Sequence, residues 1–217
     1  MGRIRKIVDL SHSLHAGMPV FPGDRPPLFN ENATIAGKGF RDLEMTFGSH
    51  IGTHVDAPAH VFQEGRFLGQ MALNSFIGAA CCLDLTSLTR RRIEPRDLSP
   101  FRDLIMENEF VLLHTAWSCC WGSDEYYRDY PILSCEAATW LAAFPLKGIG
   151  IDAPSPDRAD DIGLPVHRVL LDHNICLVEN LTGLDGLPGD GFFFSCLPLK
   201  IAQGNGSPVR AAAIVFE

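Results

Sequence analysis

Ser49-His50-Ile51-Gly52-Thr53-His54-Val55-Asp56-Ala57-Pro58-Ala59-His60 gathers three histidines and one aspartate into twelve residues. With eight histidines in 217 residues, random placement would put only about 0.4 of them in such a window. Imidazole and carboxylate are the side chains that bind zinc, manganese and similar divalent ions at neutral pH. An extended backbone here would project His50, Gly52, His54 and Asp56 to one side, because side chains alternate with a period of two. Glycine within that row would leave room for an ion. The stretch therefore predicts a metal site carried on a strand.

The composition around it suits a soluble globular protein, 46% hydrophobic and 20% charged. A chain of this length can bury a sizeable core without disulfides, and one domain, residues 1–217, is expected. The net charge of -8 argues against nucleic acid, which calls for clustered Lys and Arg. The one basic run, Arg90-Arg91-Arg92, is followed by Glu94 and Asp97 and reads as a solvated loop or helix start. No run of eighteen apolar residues predicts a membrane span. Asp9 and His12 follow the basic start too soon for a secretory signal, and Lys6 stands where myristoylation wants Ser or Thr. Seven cysteines, none in a Cys-x-x-Cys spacing, include Cys81, Cys82 and Cys176 in apolar runs. They are expected to be buried and reduced, in a cytoplasmic protein.

Outward from the cluster, Ile4 to Leu10 reads as a first strand and Leu43 to Phe47 as a second, running straight into the histidines. Between them, Ser13 to Lys38 is rich in proline and glycine and predicts irregular backbone. Short apolar runs predict buried strands at Ala79 to Leu85, Phe110 to His114, Gly148 to Asp152, Ile175 to Val178, Phe192 to Cys196 and Ala211 to Phe216. Ser134 is a candidate N-cap for a helix ending before Pro145. A second helix is expected from Leu164 to His173, with Pro165 in its first turn. Pro95 to Leu98 and Ser123 to Arg128 read as single helical turns. The fold class that follows is α/β, a single mixed-sheet domain.

Three ligands from one segment seldom close a metal site. His114, His167, His173, Asp152, Asp172 and Glu179 are the candidates for the rest. Asp152 reads equally as a ligand and as a turn cap. A lone helical histidine such as His167 is more often structural. Glu179 follows an apolar run, where an ionised carboxylate needs a strong partner such as a metal ion, unless the strand end is exposed. A helix packed back on that strand would bring His167 and Glu179 together.

At this point a resemblance becomes specific. His50 through His60 resembles the signature of the cyclase-like metal-dependent hydrolases, a family that includes bacterial kynurenine formamidase (arylformamidase) and isatin hydrolase. Pro19-Val20-Phe21-Pro22-Gly23-Asp24 is similar to its substrate-loop segment, and Gly150-Ile151-Asp152-Ala153-Pro154-Ser155 to its central strand and turn. His167 through Glu179-Asn180-Leu181 resembles the distal ligand segment, and Ser207-Pro208-Val209-Arg210-Ala211 the C-terminal strand.

The resemblance implies the swivelling β/β/α form of the mixed sheet and a centre of two divalent ions, zinc first and manganese as the alternative. His50, His54 and Asp56 would hold one ion, with Asp56 reaching the other. His167 and Glu179 would complete the centre, Glu179 bridging, and His60 would be the catalytic acid/base rather than a ligand. Phe21 would bind substrate where formamidases carry tryptophan, and His114 stands where many relatives have arginine. The expected activity is hydrolysis of a carbon–nitrogen bond in an aromatic or cyclic amide by metal-activated hydroxide. The nearest form is the arylformamidase conversion of N-formylkynurenine to kynurenine and formate. An isatin hydrolase-like or other cyclic-amide hydrolase is the alternative. From other classes come a non-catalytic metal-binding protein and a ring-forming cyclase. The family also implies a homodimer or homotetramer.

Overall fold

Side-chain alternation on four central strands divides the core into two layers. The computed structural model describes residues 2–217, so Met1 lies outside it. Its strands are β1 (Ile4–Asp9), β2 (Leu28–Ala33), β3 (Asp42–Thr46), β4 (His54–Asp56), β5 (Ile77–Asp84), β6 (Arg92–Ile93), β7 (Phe110–His114), β8 (Ile132–Leu133), β9 (Gly148–Ile151), β10 (Cys176–Glu179), β11 (Phe192–Ser195), β12 (Gly206–Pro208) and β13 (Ala212–Phe216). Nine of them form one mixed sheet in the order β1-β13-β11-β5-β7-β9-β10-β4-β12. Its centre, from β5 to β10, is parallel, and the strands on either side are antiparallel. This is the α/β mixed sheet expected.

Parallel strands buried on both faces read as continuous apolar runs, which is why these segments stand out in the sequence. On one face Leu83, Val111, Leu113, Ile149, Ile151 and Leu177 join a single apolar cluster. On the other, Ala80, Phe110, Leu112, Cys176 and Val178 pack with Phe192, Phe194 and Val55. The helical segments are α1 (Ile35–Lys38), α2 (Pro95–Leu98), α3 (Arg102–Met106), α4 (Cys135–Ala142) and α5 (Pro165–Asp172). Helices α4 and α5 cover the first face. Ser134 caps α4 by accepting from the Ala137 N–H at 3.0 Å. Helix α5 buries Val166, Leu170 and Leu171, each stabilising by roughly 1.5–3 kcal/mol relative to exposure. It ends at Asp172, and Asn174, two residues on, supplies the left-handed turn that closes it with a φ of 59°.

Several expectations fail locally. The extended row from His50 to Asp56 is a strand only from His54, because Gly52 turns the chain at a φ of 57°. The Cβ that Gly52 lacks would meet Leu14 Cδ2 at 2.6 Å, so the glycine faces apolar packing and makes no room for an ion. The strand at Leu43 to Phe47, observed as β3, does not run into the cluster but pairs with β2 in a separate two-stranded ribbon, and β2 and α1 occupy part of the supposedly irregular region. Ser123 to Arg128 forms turns and no helix.

Candidate metal centre

Sheet register builds the floor of the site. Glu179 on β10 lies directly opposite His54 on β4, and antiparallel partners share a face. Asp56, two residues on, projects the same way and is flanked on β12 by Gly206. Helix α5 packs over this face and lowers His167 onto it. Both the helix histidine and the strand-end carboxylate are buried, at 2% and 6% exposure, so the exposed-terminus alternative for Glu179 does not hold.

The four side chains close a ring. His54 Nε2 stands 3.3 Å from Glu179 Oε2 and 3.4 Å from Asp56 Oδ1. His167 Nε2 stands 3.2 Å from Glu179 Oε1 and 3.3 Å from Asp56 Oδ2. Donors about 2.0–2.1 Å from a tetrahedral zinc would stand about 3.3–3.4 Å from one another. Asp56 Oδ2 and Glu179 Oε1 are buried and take part in no hydrogen bond, although an imidazole nitrogen lies close to each. Nitrogen and oxygen brought together without hydrogen-bond geometry are what a cation between them would satisfy.

The potential ligand atoms sort into two overlapping sets, His54 with Asp56 and Glu179, and His50 with Asp56 and His60. Asp56 belongs to both. His50 Nδ1–H donates to Asp56 Oδ1 at 2.6 Å, and its buried Nε2 has no partner. The His60 ring lies 4.0 Å from that of His50, so a residue expected only to carry protons also stands within ligand reach. Residues and donor types thus fit divalent ions.

Electrostatics follow from burying two carboxylates among imidazoles. Burial by itself would lower the His54 pKa, but the charges of Asp56 and Glu179 raise it to about 9. His167 is raised for the same reason, against its own burial, by Asp157, Asp56 and Glu179. Asp56 is held well below the usual carboxylate range although burial opposes it, chiefly by His54 and His50. His60 goes the other way, since burial dominates and lowers it to about 4.

His50, His54, His60, His167 and Glu179 line a cavity of about 440 Å³. Phe21 and Tyr127 meet edge to face at 5.7 Å on its wall, and Arg158, Asp24 and Ile162 stand among its lining residues. The loop bearing Phe21 is tethered at its root, where the His12 N–H donates to Thr53 Oγ1 and the His12 ring stacks on Trp121 at 4.0 Å. Neither Phe47 nor Phe62 lines this cavity, and Phe62 packs on the core. Of the other candidates, Asp152 accepts from the N–H and hydroxyl of Thr115 and holds that turn, while His114, His173 and Asp172 lie outside the ring.

Several supporting residues escaped the sequence reading. The Gly52 carbonyl accepts from His54 Nδ1 at 2.9 Å and from Asn180 Nδ2 at 3.0 Å, and Asn180 Oδ1 accepts from the Tyr126 hydroxyl at 2.7 Å. His54 is thereby turned so that Nε2 faces the ring. Gly206 is another, because any Cβ there would overlap the His50 ring. Asp157 contacts His167 from behind.

Residues 8–158 match a family model described as a putative cyclase. The chain belongs to the cyclase family. A kynurenine formamidase of Erythrobacter litoralis is 32% identical over 95% of this chain and 93% of its own length. Isatin hydrolase A from Ralstonia solanacearum superposes with a TM-score of 0.85 at 25% identity, covering 97% of this chain and 92% of that one. A structure described as a predicted metal-dependent hydrolase from Bacillus stearothermophilus gives 0.80 at 28% identity, covering 96% and 98%. These names agree with the expected enzyme class, a hydrolase of carbon–nitrogen bonds, and with the expected fold.

Proposed function

We propose that this cyclase-family chain hydrolyses a carbon–nitrogen bond in a small aromatic or cyclic amide. An arylformamidase activity, N-formylkynurenine to kynurenine and formate, is the first reading. The observation that carries the proposal is the ring of His54, Asp56, His167 and Glu179, with edges of 3.2–3.4 Å, three of whose members line a cavity that also holds Phe21 and Tyr127. Two divalent ions held by His50, His54, Asp56, His167 and Glu179, zinc or manganese, would supply an acidic water near neutral pH and polarise a carbonyl.

The remaining work falls to the chain's own groups. His60 makes no side-chain hydrogen bond among the described residues, and its lowered pKa leaves it neutral at pH 7. In that form its free ring nitrogen would take the proton of the attacking water and hand it to the departing nitrogen. Phe21 presents a ring face to the substrate, with less area than an indole and no N–H. The similarity to an isatin hydrolase supports a second reading, opening of a cyclic amide.

A panel of N-formylkynurenine, isatin and simple cyclic amides, assayed with zinc and with manganese, decides between the two readings. Chelation should abolish turnover and added metal restore it. His60→Ala should keep its metal content while losing about 10²–10⁴-fold in rate. Wild-type rates in that variant would remove the proton-carrier role. A protein holding no metal after reconstitution would sink the reading, and metal binding without turnover across the panel would favour a non-catalytic binder.

We also place the active form as a homo-oligomer, supported by the apolar surface of the β2–β3 ribbon, where Leu28, Leu43 and Met45 are each more than half exposed. Seven free thiols support a reducing, cytoplasmic setting. Among the described residues no helix is long and apolar enough to cross a membrane.

A further inference from the structure

We propose that Asp157 is a positioning residue of the metal centre, fixing the His167 imidazole so that Nε2 faces Asp56 and Glu179. The proposal rests on the metal reading above. Asp157 is 3% exposed, and its carboxylate accepts three hydrogen bonds. Oδ1 takes the Val166 N–H at 2.9 Å, and Oδ2 takes the His167 N–H at 2.9 Å and His167 Nδ1–H at 2.7 Å.

The first two contacts cap α5. Leu164, which precedes the helix, offers no side-chain cap, so a residue eight positions before Pro165 does the capping through space. Capping alone needs nothing from the imidazole, yet the shortest of the three contacts goes to the ring. That bond assigns the proton to Nδ1 and leaves Nε2 as the only nitrogen able to face the ring of donors, 3.3 Å from Asp56 Oδ2 and 3.2 Å from Glu179 Oε1.

The carboxylate is itself immobilised. The Asp157 N–H donates to Ser155 Oγ at 3.2 Å, its carbonyl accepts from the Tyr130 hydroxyl at 2.8 Å, and the preceding Pro156 carbonyl accepts from the Leu133 N–H at 2.9 Å. The other imidazoles are backed differently. His54 leans on a neutral carbonyl, that of Gly52, and His50 uses Nδ1 on Asp56, a ligand candidate itself. His167 is thus the ligand candidate backed by a buried carboxylate outside the donor ring. Such a partner fixes the tautomer, makes the nitrogen a stronger donor and is worth about 10–100-fold in metal affinity.

The test compares wild type, Asp157→Asn and Asp157→Glu by zinc competition against a chromophoric chelator and by the visible spectrum of the cobalt(II)-loaded proteins. Asp157→Asn should bind zinc about 10–100-fold more weakly and shift the cobalt bands, and Asp157→Glu should recover part of both. Wild-type affinity and an unchanged spectrum in Asp157→Asn, with only a lower melting temperature of the metal-free protein, would reduce Asp157 to a helix cap. Failure of the wild type itself to take up zinc or cobalt would overturn the metal reading instead. Should Asp157→Asn not fold, nitrogen NMR of the zinc-loaded wild type decides the matter. His167 must show a protonated Nδ1 and a coordinated Nε2, and the reverse assignment overturns the proposal.

Discussion

An imidazole buried between two carboxylates must hold either a proton or a metal ion. His54 is such a residue, and its pKa of about 9 means that the metal-free protein carries a proton there at pH 7. Binding an ion at Nε2 must expel it. Metal affinity should therefore rise with pH up to about 9, and titration calorimetry at pH 7 in two buffers of different ionisation enthalpy should show at least one proton released. No release would contradict the placement of Nε2 toward the ion. The same shift has a consequence for the metal-free fold. A raised pKa contributes stability that is complete below the ordinary histidine value of 6.5 and is lost as the pH climbs through 9. His50, His54, Asp56 and His60 were legible because they are neighbours in sequence. Asp157, Asn180 and Tyr126 were not, since each acts across a tertiary contact and carries no spacing signal toward the histidine it supports.

At the scale of elements, β12 shows how backbone proximity shapes the site. Its Gly206 pairs with Asp56, and the His50 ring occupies the space where a side chain would stand. Gly206→Ala should push the ring aside. The expected outcome is a loss of at least about tenfold in metal affinity, by analogy with displaced metal partners, with stability lowered by about 1–3 kcal/mol. Unchanged metal affinity by chelator competition would show that His50 is dispensable as a ligand. Elements with local signals were read well. Ser134 and Pro165 mark the starts of α4 and α5, and the central strands announce themselves as apolar runs. The β2–β3 ribbon was half missed because Asn30, Glu31 and Asn32 break any apolar pattern, and its pairing depends on a partner strand rather than on burial.

For the whole molecule, that ribbon is the part least explained by one chain. A lone two-stranded ribbon is marginal in water; this one exposes Leu28, Leu43 and Met45, and the segment joining its strands exposes Ile35 and Phe40. Sedimentation equilibrium should find a dimer or larger assembly at micromolar concentration, and Leu43→Glu with Met45→Glu should drive it toward monomer. A wild-type monomer would contradict the proposed homo-oligomer.

The amino-acid sequence by itself determined the chemistry on offer and the sheet-forming core, because ligand identity, apolar runs and helix caps are local properties. Tertiary structure decided which donors meet. Strand register set Glu179 opposite His54, α5 brought His167 down between two carboxylates, and Gly52 turned the chain so that His50 could join them. The first two join segments more than a hundred residues apart, and they are set by packing that no single segment encodes.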